Sequence, residues 1–352
     1  MKSLLCSFAT LLVKSRRRML LAPVTLTCSC LSFAQTATSL HVFQPESIPP
    51  GVIRSRGDDA MRDILKVWQK AFQRYHPEIT FADTLNGSGT GMAGIITGVS
   101  ELSLMGRPAT ANEIMGFEWV HRSKPTAIPV VIGAPSPLRA PVDEKSRPLL
   151  VYVAKENPLE QISMAQLKAL LECRNEVAAW GLAGAGGDWT ARPAHAYLYD
   201  SETGTGAFLQ HAILGSEDKW NWHVVKEFKD ETHPNGSLYP AAQQILEALA
   251  NDFYGIAISA MQLDDSRLKV LPVSSEGLAV FATPESLRSG TYPLGRIVYI
   301  YINRASGKLL DPKVKEFLRF VLSEEGQRLV QTQGDFLPLP ATVARDSLRL
   351  LD

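Results

Sequence analysis

The sequence has 352 residues, of which 45% are hydrophobic and 20% are charged, a composition typical of globular proteins with one or two buried cores. The formal net charge is zero, but residues 1–34 carry five basic side chains and no acidic one, so residues 35–352 hold 31 basic and 36 acidic residues and a net charge of −5. This mildly acidic body gives no electrostatic reason to bind nucleic acid, and it implies that any bound anion is held by local geometry.

The first segment of the chain, residues 1–34, has the pattern of a secretory signal peptide. Arg16–Arg18 precede the apolar run Met19–Phe33, and the small residues of Ser32–Ala34 form a cleavage pattern. The run is short for a membrane span, although a membrane anchor or a buried strand remains an alternative. We expect export to the periplasm by the Sec route rather than by the twin-arginine route, whose signal Ser15–Leu20 also resembles.

Strands and helices alternate in the next part of the chain. Gly51–Arg54 predicts a strand, and apolar side chains then recur at helical spacing over Met61–Tyr75. Ile79–Leu85 and Glu101–Met105 have the pattern of two further strands, and between them the glycine-rich turn Asn86–Gly91 leads into a short apolar helix. This order of elements indicates a mostly parallel sheet with right-handed crossovers.

The rest of the chain continues the alternation and contains a second glycine-rich turn, Asp200–Gly206, before a helix through Phe208 and Leu214. Capping boxes at Thr110–Glu113 and Ser163–Gln166 each predict the start of a helix. The remaining predicted strands and helices are Leu149–Ala154, Tyr197–Tyr199, Tyr254–Ile258 and Val298–Ile302 as strands, and segments through Ile245 and from Pro312 to Val321 as helices.

The two glycine-rich turns carry the chemical information. Each places small residues and hydroxyl groups at a predicted helix N-terminus, where backbone N–H groups lack partners and the helix dipole favours negative charge. Glycine lets the backbone approach an oxyanion closely, and Ser and Thr hydroxyls add donors. One such turn alone is more typical of an ordinary helix cap, and neither turn has the lysine of a Walker loop. Two of them together predict a site for a tetrahedral oxyanion.

A series of short motifs spans about residues 50–340 in a defined order. The motifs are Ile53–Arg54, Asp58–Met61, Asn86–Gly91, Gly106–Pro108, Asn157–Leu159, Glu202–Gly206, Tyr254–Ala257 and Tyr292–Leu294. In this order they resemble the periplasmic phosphate-binding proteins of ABC transporters, within the type II periplasmic binding protein superfamily. The resemblance implies a two-lobed α/β fold with mixed, mostly parallel sheets and a hinge. Lobe 1 would comprise residues 50–155 and 288–352, and lobe 2 would comprise residues 156–287.

The resemblance also implies which residues contact the oxyanion. They lie at the first helix N-terminus, in the two glycine-rich turns and after the third strand, at Asp58, Asp59, Ser88, Gly89, Thr90, Arg107, Thr203, Gly204 and Thr205. Arg107 would act as a charged donor. Asp58 would either accept a proton from the bound anion, favouring phosphate over sulfate, or only cap the helix. Tyr199 occupies a position where some relatives carry an arginine.

The function implied by the resemblance is non-covalent capture of inorganic phosphate, or of a similar oxyanion, by a monomer that serves a membrane ABC transporter permease. No catalysis and no cofactor are implied. One alternative is a binding or sensory protein of the same fold for another anion, such as molybdate, sulfate or a small organic acid. Another is a phosphatase with Ser88 as nucleophile, and a third is an interaction protein that has lost its ligand. The seven histidines are scattered without metal-binding spacing, so we expect no metal site.

Overall fold

The structure is a computed structural model that describes residues 39–134, 147–174, 177–215, 219–304 and 309–352. The predicted signal peptide, residues 1–34, lies outside the described residues. The described residues belong to one compact unit. Within the described ranges, no helix combines the length and the apolar character needed to cross a membrane.

Most strands of the described residues pair within two larger sheets, and short two-stranded pairs take up the others. In chain order the strands are β1 (Gly51–Gly57), β2 (Ile79–Leu85), β3 (Leu102–Met105), β4 (Thr126–Gly133), β5 (Leu150–Ala154), β6 (Ile162–Ser163), β7 (His195–Tyr199), β8 (Val225–Phe228), β9 (Glu231–Thr232), β10 (Leu238–Tyr239), β11 (Gly255–Ser259), β12 (Leu268–Leu271), β13 (Val273–Ser274), β14 (Ile297–Ile302) and β15 (Phe336–Leu337).

The α-helices connect these strands and cover the sheets. In chain order they are α1 (Arg62–Phe72), α2 (Ser88–Ile96), α3 (Ala111–His121), α4 (Met164–Leu171), α5 (Gly204–Leu214), α6 (Ala241–Ala250), α7 (Pro284–Arg288), α8 (Pro312–Val321), α9 (Glu324–Gln333) and α10 (Ala341–Arg349). A short 3₁₀ helix, Asp59–Met61, leads from β1 into α1.

The six-stranded sheet joins the N-terminal and C-terminal parts of the chain. Its strand order is β15-β4-β14-β3-β1-β2. Strand β1 pairs in parallel with β2 and β3, as the strand–helix–strand pattern predicts. Strand β14, almost 200 residues later in the chain than β3, pairs antiparallel with β3 and β4. The two ends of the chain therefore share one core.

The five-stranded sheet is formed by the middle of the chain, in the order β12-β5-β11-β7-β8. Strand β7 pairs in parallel with β8 and β11, whereas β5 pairs antiparallel with β11 and β12. The predicted lobe bounds assign β5, Leu150–Ala154, to the first lobe, but its hydrogen bonds lie in this second sheet. The division into residues 50–155 with 288–352 and residues 156–287 otherwise remains a prediction.

Both larger sheets mix parallel and antiparallel pairs, which confirms the predicted α/β class with mixed sheets. The expected majority of parallel pairs is not found in the two larger sheets among the described strands, because two of five pairs in the six-stranded sheet and two of four in the five-stranded sheet are parallel. The antiparallel pairs involve β4, β5 and β14, which are the strands where the chain passes from one sheet to the other. These crossing strands enter each sheet against the direction of its parallel part.

Helix α1 confirms the helix predicted after the first strand. The side chains that recur at helical spacing are fully buried: Ile64, Leu65, Trp68 and Phe72. The Trp68 indole N–H donates to the Gly326 carbonyl at 2.9 Å, so its polar atom is satisfied inside the core. The helix ends at Phe72, and Tyr75 lies beyond it in a half-exposed position.

Candidate functional site

A cleft of about 760 Å³ lies where the carboxyl ends of strands from both larger sheets meet. Its walls are formed by Asp58, Asp59, Gly87, Ser88 and Arg296 on the side of the six-stranded sheet, and by Tyr199, Thr203, Gly204, Thr205, Lys229, Asp230, Leu238, Pro240 and Ala241 on the other side. The volume is in the range of small-molecule sites. Both glycine-rich turns line this one cavity.

Helix α2 begins at the cleft without a side-chain cap. Its N-cap residue, Gly87, has a φ of 97°, in the left-handed region that favours glycine. The Gly87 N–H donates to the Gly57 carbonyl at 2.9 Å, which holds the turn against the end of β1. Because Gly87 has no side chain, it supplies no acceptor for the first N–H groups of the helix. An anion in the cleft is a suitable partner for them.

Of the residues predicted in the first turn, Ser88 lines the cleft, whereas Gly89 and Thr90 do not. The Thr90 hydroxyl donates to the Gly87 carbonyl at 2.8 Å, inside the turn itself. A side chain at position 89 would meet no other atom within 4 Å. In this arrangement Thr90 stabilises the turn, and Gly89 offers the cavity no side-chain donor.

The buried carboxylate of Asp58 joins three segments of the chain around the cleft. One oxygen accepts from the Ala60 N–H at 3.0 Å, which makes Asp58 the N-cap of the 3₁₀ helix. The other oxygen accepts from the Ser88 hydroxyl at 2.9 Å and from the Gly106 N–H at 3.0 Å. The capping alternative for Asp58 is thus present in the structure. A carboxylate offers about four acceptor positions, so one remains beyond these three bonds.

Helix α5 begins at the opposite side of the cleft and is capped by Thr203. The Thr203 hydroxyl accepts from the Gly206 N–H at 3.0 Å and donates to the Asp200 carbonyl at 2.6 Å. Its proton is therefore committed to the turn. The N–H groups of Gly204 and Thr205, at the start of the helix, lie beside the cavity. They are the donors that this helix end presents to the cleft.

Arg107 does not line the cleft, and its guanidinium is paired. It makes a two-pronged contact with Glu113 in α3, with Nη–Oε distances of 2.7 and 2.8 Å. Its Nε atom is buried and has no hydrogen-bond partner among the described residues. Nε lies 3.8 Å from where a Cβ on Gly204 would be, next to the start of α5. Glu113 compensates the charge of Arg107, and the Nε–H remains for a partner near the cleft.

The Arg107–Glu113 pair also predicts a pH dependence of stability. Burial alone would raise the pKa of Glu113, but hydrogen bonds from Arg107 and from the Thr110 backbone hold that pKa below its usual value. A lowered pKa stabilises the folded state above the unfolded-state value, and this contribution is lost as the pH falls through the folded-state value. Glu113→Gln is therefore expected to lower the free energy of unfolding by about 2 kcal/mol at neutral pH.

Urea unfolding of the wild type and of Glu113→Gln at pH 7 and at about pH 3 measures this difference, which is expected to shrink at the lower pH. Asp346→Asn is the control, because Asp346 forms its ion pair with Arg349 at the surface, where such pairs contribute little. A difference between wild type and Glu113→Gln that is equal at both pH values would contradict the lowered pKa.

Arg296 is a cleft residue that the sequence analysis did not identify. Its side chain is 2% exposed, and it donates to the Gly106 carbonyl through Nε at 3.1 Å and through Nη2 at 2.6 Å. Its Nη1 donates to the Thr205 hydroxyl oxygen at 3.1 Å, and the guanidinium lies 4.9 Å from the Phe208 ring centroid. Burial lowers the pKa of Arg296 to about 10, so the side chain stays positively charged at neutral pH. Arg296 thus connects the six-stranded sheet to α5.

Residues 44–325 match a family model described as a PBP superfamily domain. The chain belongs to the PBP superfamily. Among the relatives of this PBP superfamily member, the phosphate-binding protein PstS of Pseudomonas aeruginosa is 28% identical over 322 residues, which cover 89% of this chain and 91% of the relative.

Two solved structures share the fold of this PBP superfamily member. An ABC-type phosphate transport receptor from Vibrio cholerae has a TM-score of 0.54 at 14% identity and covers 82% of this chain and 100% of that structure. PstS from Borrelia burgdorferi has a TM-score of 0.52 at 17% identity and covers 82% of this chain and 98% of that structure. These likenesses confirm the predicted two-lobed fold class.

Within this PBP superfamily fold, the structure brings six of the nine predicted site residues into one cavity: Asp58, Asp59, Ser88, Thr203, Gly204 and Thr205. Arg107 lies next to the cavity, and Gly89 and Thr90 lie inside the first turn. The sequence does contain a hint of Arg296, because a single charge stands between Gly295 and the apolar strand that follows. Such a charge is more typical of a solvated strand end, and only the fold shows that it is buried.

Proposed function

We propose that the chain is an extracytoplasmic solute-binding protein that captures phosphate in the cleft and presents it to a membrane ABC transporter permease. The observation that carries this proposal is that the N-termini of α2 and α5 line the same cavity. The relative from Pseudomonas aeruginosa is a phosphate-binding protein, and the structure from Vibrio cholerae is a phosphate transport receptor. Both agree with this ligand.

Local donors account for anion binding in an acidic protein. Residues 35–352 carry a net charge of −5, so long-range attraction does not draw an anion to the cleft. Helix-end N–H groups near Ser88 and Gly204, the Thr205 hydroxyl and the Arg107 Nε–H would replace the hydration shell of the oxyanion. Approach of lobe 2 (residues 156–287) to lobe 1 would exclude water and strengthen each of these bonds.

Asp58 gives this site a means to prefer phosphate over sulfate. Its carboxylate already accepts three hydrogen bonds, from Ala60, Ser88 and Gly106. The remaining acceptor position suits the proton of hydrogen phosphate. Sulfate carries no such proton at neutral pH. A sulfate oxygen at this position would lie against the Asp58 carboxylate oxygen, and both carry negative charge.

Titration calorimetry of residues 35–352 with phosphate and with sulfate tests the proposal. Phosphate is expected to bind, and sulfate is expected to bind at least about tenfold more weakly, the equivalent of one unmatched hydrogen bond. Sodium chloride at equal ionic strength is the control. An absence of binding heat and of thermal stabilisation with phosphate would contradict the proposed ligand, and equal affinity for both anions would contradict the role of Asp58.

A small organic acid is the second candidate ligand, within the same fold and binding mode. It is favoured by the cleft volume of about 760 Å³ and by the apolar side chains of Leu238, Pro240 and Ala241 in the wall. Competition of organic acids, sulfate and molybdate with bound phosphate separates the candidates. If an organic acid displaces labelled phosphate at a lower concentration than unlabelled phosphate does, the organic acid would be the favoured ligand.

The proposal includes a monomeric, non-catalytic protein that acts in the periplasm after removal of residues 1–34. Its curated relatives are binding proteins, which supports a non-enzymatic role. Incubation with a chromogenic phosphate monoester tests the alternative that Ser88 acts as a nucleophile. Turnover that is lost in Ser88→Ala would favour the phosphatase, whereas binding of phosphate without turnover would favour the carrier.

A further inference from the structure

Arg296 commits only part of its hydrogen-bonding capacity to the protein. A guanidinium has five N–H donors, and three of them are used, two by the Gly106 carbonyl and one by the Thr205 hydroxyl. No described residue accepts from the other two. Arg296 belongs to the lining of the cleft together with Ser88 and Gly204. Two charged donors are therefore available beside the two helix N-termini.

The charge of Arg296 has no direct counter-ion in the part of the chain that the structure describes. Its hydrogen-bond partners are a carbonyl and a hydroxyl, which are neutral. Burial lowers the pKa of Arg296 and the charge of Asp58 raises it, but no ion pair joins these two side chains. Burial of a charge without a partner is strongly unfavourable unless an opposite charge compensates it. An anion bound in the cleft would supply that compensation.

Arg107 shows the contrasting case. Its guanidinium is compensated by Glu113 through two hydrogen bonds, and the pair as a whole is neutral. Arg296 instead donates to the carbonyl of Gly106. The N–H of the same residue donates to Asp58. Of the two guanidinium groups beside Gly106, that of Arg296 therefore makes no direct ion pair among the described residues, and Lys229 is the other basic side chain in the cleft lining.

Arg296 also orients a second donor. The Thr205 hydroxyl oxygen accepts from Arg296, so its own proton is free to turn toward the cavity that Thr205 lines. A charged donor on one side of a hydroxyl polarises it and strengthens the bond that it donates on the other. Arg296, Thr205 and the first N–H groups of α5 thus form a continuous set of donors.

We propose that Arg296 is a ligand-binding residue and the main source of positive charge for the oxyanion, to which its two remaining N–H groups donate. This inference rests on the proposed function of the cleft. It assigns the dominant positive charge for the bound anion to Arg296, which directly precedes β14, rather than to Arg107. Because Arg296 contacts both the six-stranded sheet and α5, the same residue links anion binding to the relative position of the two sheets.

Calorimetry with phosphate on three variants tests the assignment. Arg296→Gln removes the charge and is expected to weaken phosphate binding at least a hundredfold. Arg296→Lys keeps the charge but cannot reach Gly106, Thr205 and the ligand together, so a loss of at least tenfold is expected. Arg304→Gln, just beyond the other end of β14, is the matched control and is expected to bind phosphate as the wild type does.

The pH dependence separates a direct contact from a structural role. Phosphate changes from mainly monoanion to mainly dianion between about pH 6 and pH 8, and wild-type affinity is expected to rise over this range. Arg296→Gln is expected to flatten this rise, because the charge that favours the dianion is gone. A variant that is only misfolded would lose affinity equally at both pH values. If Arg296→Gln does not fold, Arg296→Lys decides by the tenfold loss.

Each outcome bears on the inference separately from the proposed function. Wild-type binding of phosphate with both Arg296 variants within twofold of it would overturn the assignment and leave the function standing. Wild-type binding of sulfate but not phosphate, with the same losses at position 296, would overturn the phosphate proposal and support the assignment. A wild type that binds neither anion would overturn both.

Discussion

Replacing Gly206 with alanine is expected to destabilise the protein and to weaken phosphate binding severely. A Cβ at this position would lie 2.0 Å from the Asp200 carbonyl oxygen and 2.8 Å from that of Tyr199. Both are backbone atoms, which cannot move aside as the end of a flexible side chain can. The turn before α5 would have to open, and the Gly206 N–H would lose its bond to the Thr203 hydroxyl.

The expected loss in the free energy of unfolding of Gly206→Ala is about 2–3 kcal/mol, as for other overpacked sites. The dissociation constant for phosphate is expected to rise about a hundredfold, because the N–H donors of Gly204 and Thr205 would move together. Urea unfolding and calorimetry measure the two effects.

Gly186→Ala is the matched control for Gly206→Ala. Gly186 has a φ of −99°, and a Cβ there would meet nothing within 4 Å. Its stability is expected to stay within about 0.5 kcal/mol of the wild type. If Gly206→Ala keeps wild-type stability and affinity, the turn can relax around the added methyl group. The start of α5 in its present geometry would then not be required for phosphate binding.

Features that depend on near neighbours in the sequence could be predicted. The capping boxes at Thr110 and Ser163 form with the reciprocal partners that the sequence places three residues later, Glu113 and Gln166. Strand β2 occupies its predicted bounds, Ile79–Leu85. The two glycine-rich segments lie at helix starts as predicted, although Ser88–Gly91 and Gly204–Gly206 already form the first turns of α2 and α5.

Features that depend on long-range pairing could not be predicted. Strand β4 was missed, and its partner β14 lies far along the sequence, so no local pattern reveals their pairing. The contact between Arg296 and Thr205 joins residues 91 positions apart. Two 3₁₀ helices, Trp180–Ala183 and Gly187–Trp189, also lie in a segment without a helical pattern in the sequence. Short helices of this kind are fixed by packing rather than by periodicity.

The same limit applies to the chemistry of individual side chains. The sequence indicates only that a hydroxyl near a helix N-terminus can donate a hydrogen bond to a ligand. The structure shows whether that proton already binds a backbone carbonyl. Thr203 and Thr90 spend theirs on the Asp200 and Gly87 carbonyls, whereas Thr205 accepts a bond and keeps its proton. Sequence spacing places three threonines near the anion, and the fold selects one of them as a side-chain donor.

Arg107→Ala is expected to weaken phosphate binding by about 2 kcal/mol, or roughly thirtyfold, the typical contribution of one charged hydrogen bond. The physical reason is the buried Nε–H, which has no partner among the described residues and lies next to Gly204. The substitution also leaves the Glu113 carboxylate without its guanidinium, which adds uncompensated negative charge near the cleft. Calorimetry with phosphate at low and moderate salt measures the loss.

The double variant Arg107→Ala/Glu113→Gln separates these two effects. It removes the unpaired carboxylate, so stability is expected to recover in part, whereas affinity is expected to stay low because the Nε donor is still missing. Arg319→Ala is the control for loss of ion pairing away from the cleft lining, since Arg319 pairs with Glu46 and, at 2.7 Å, with Glu316 in α8. If Arg107→Ala and Arg319→Ala reduce phosphate affinity by the same factor, Arg107 acts only through folding and makes no direct contact with the anion.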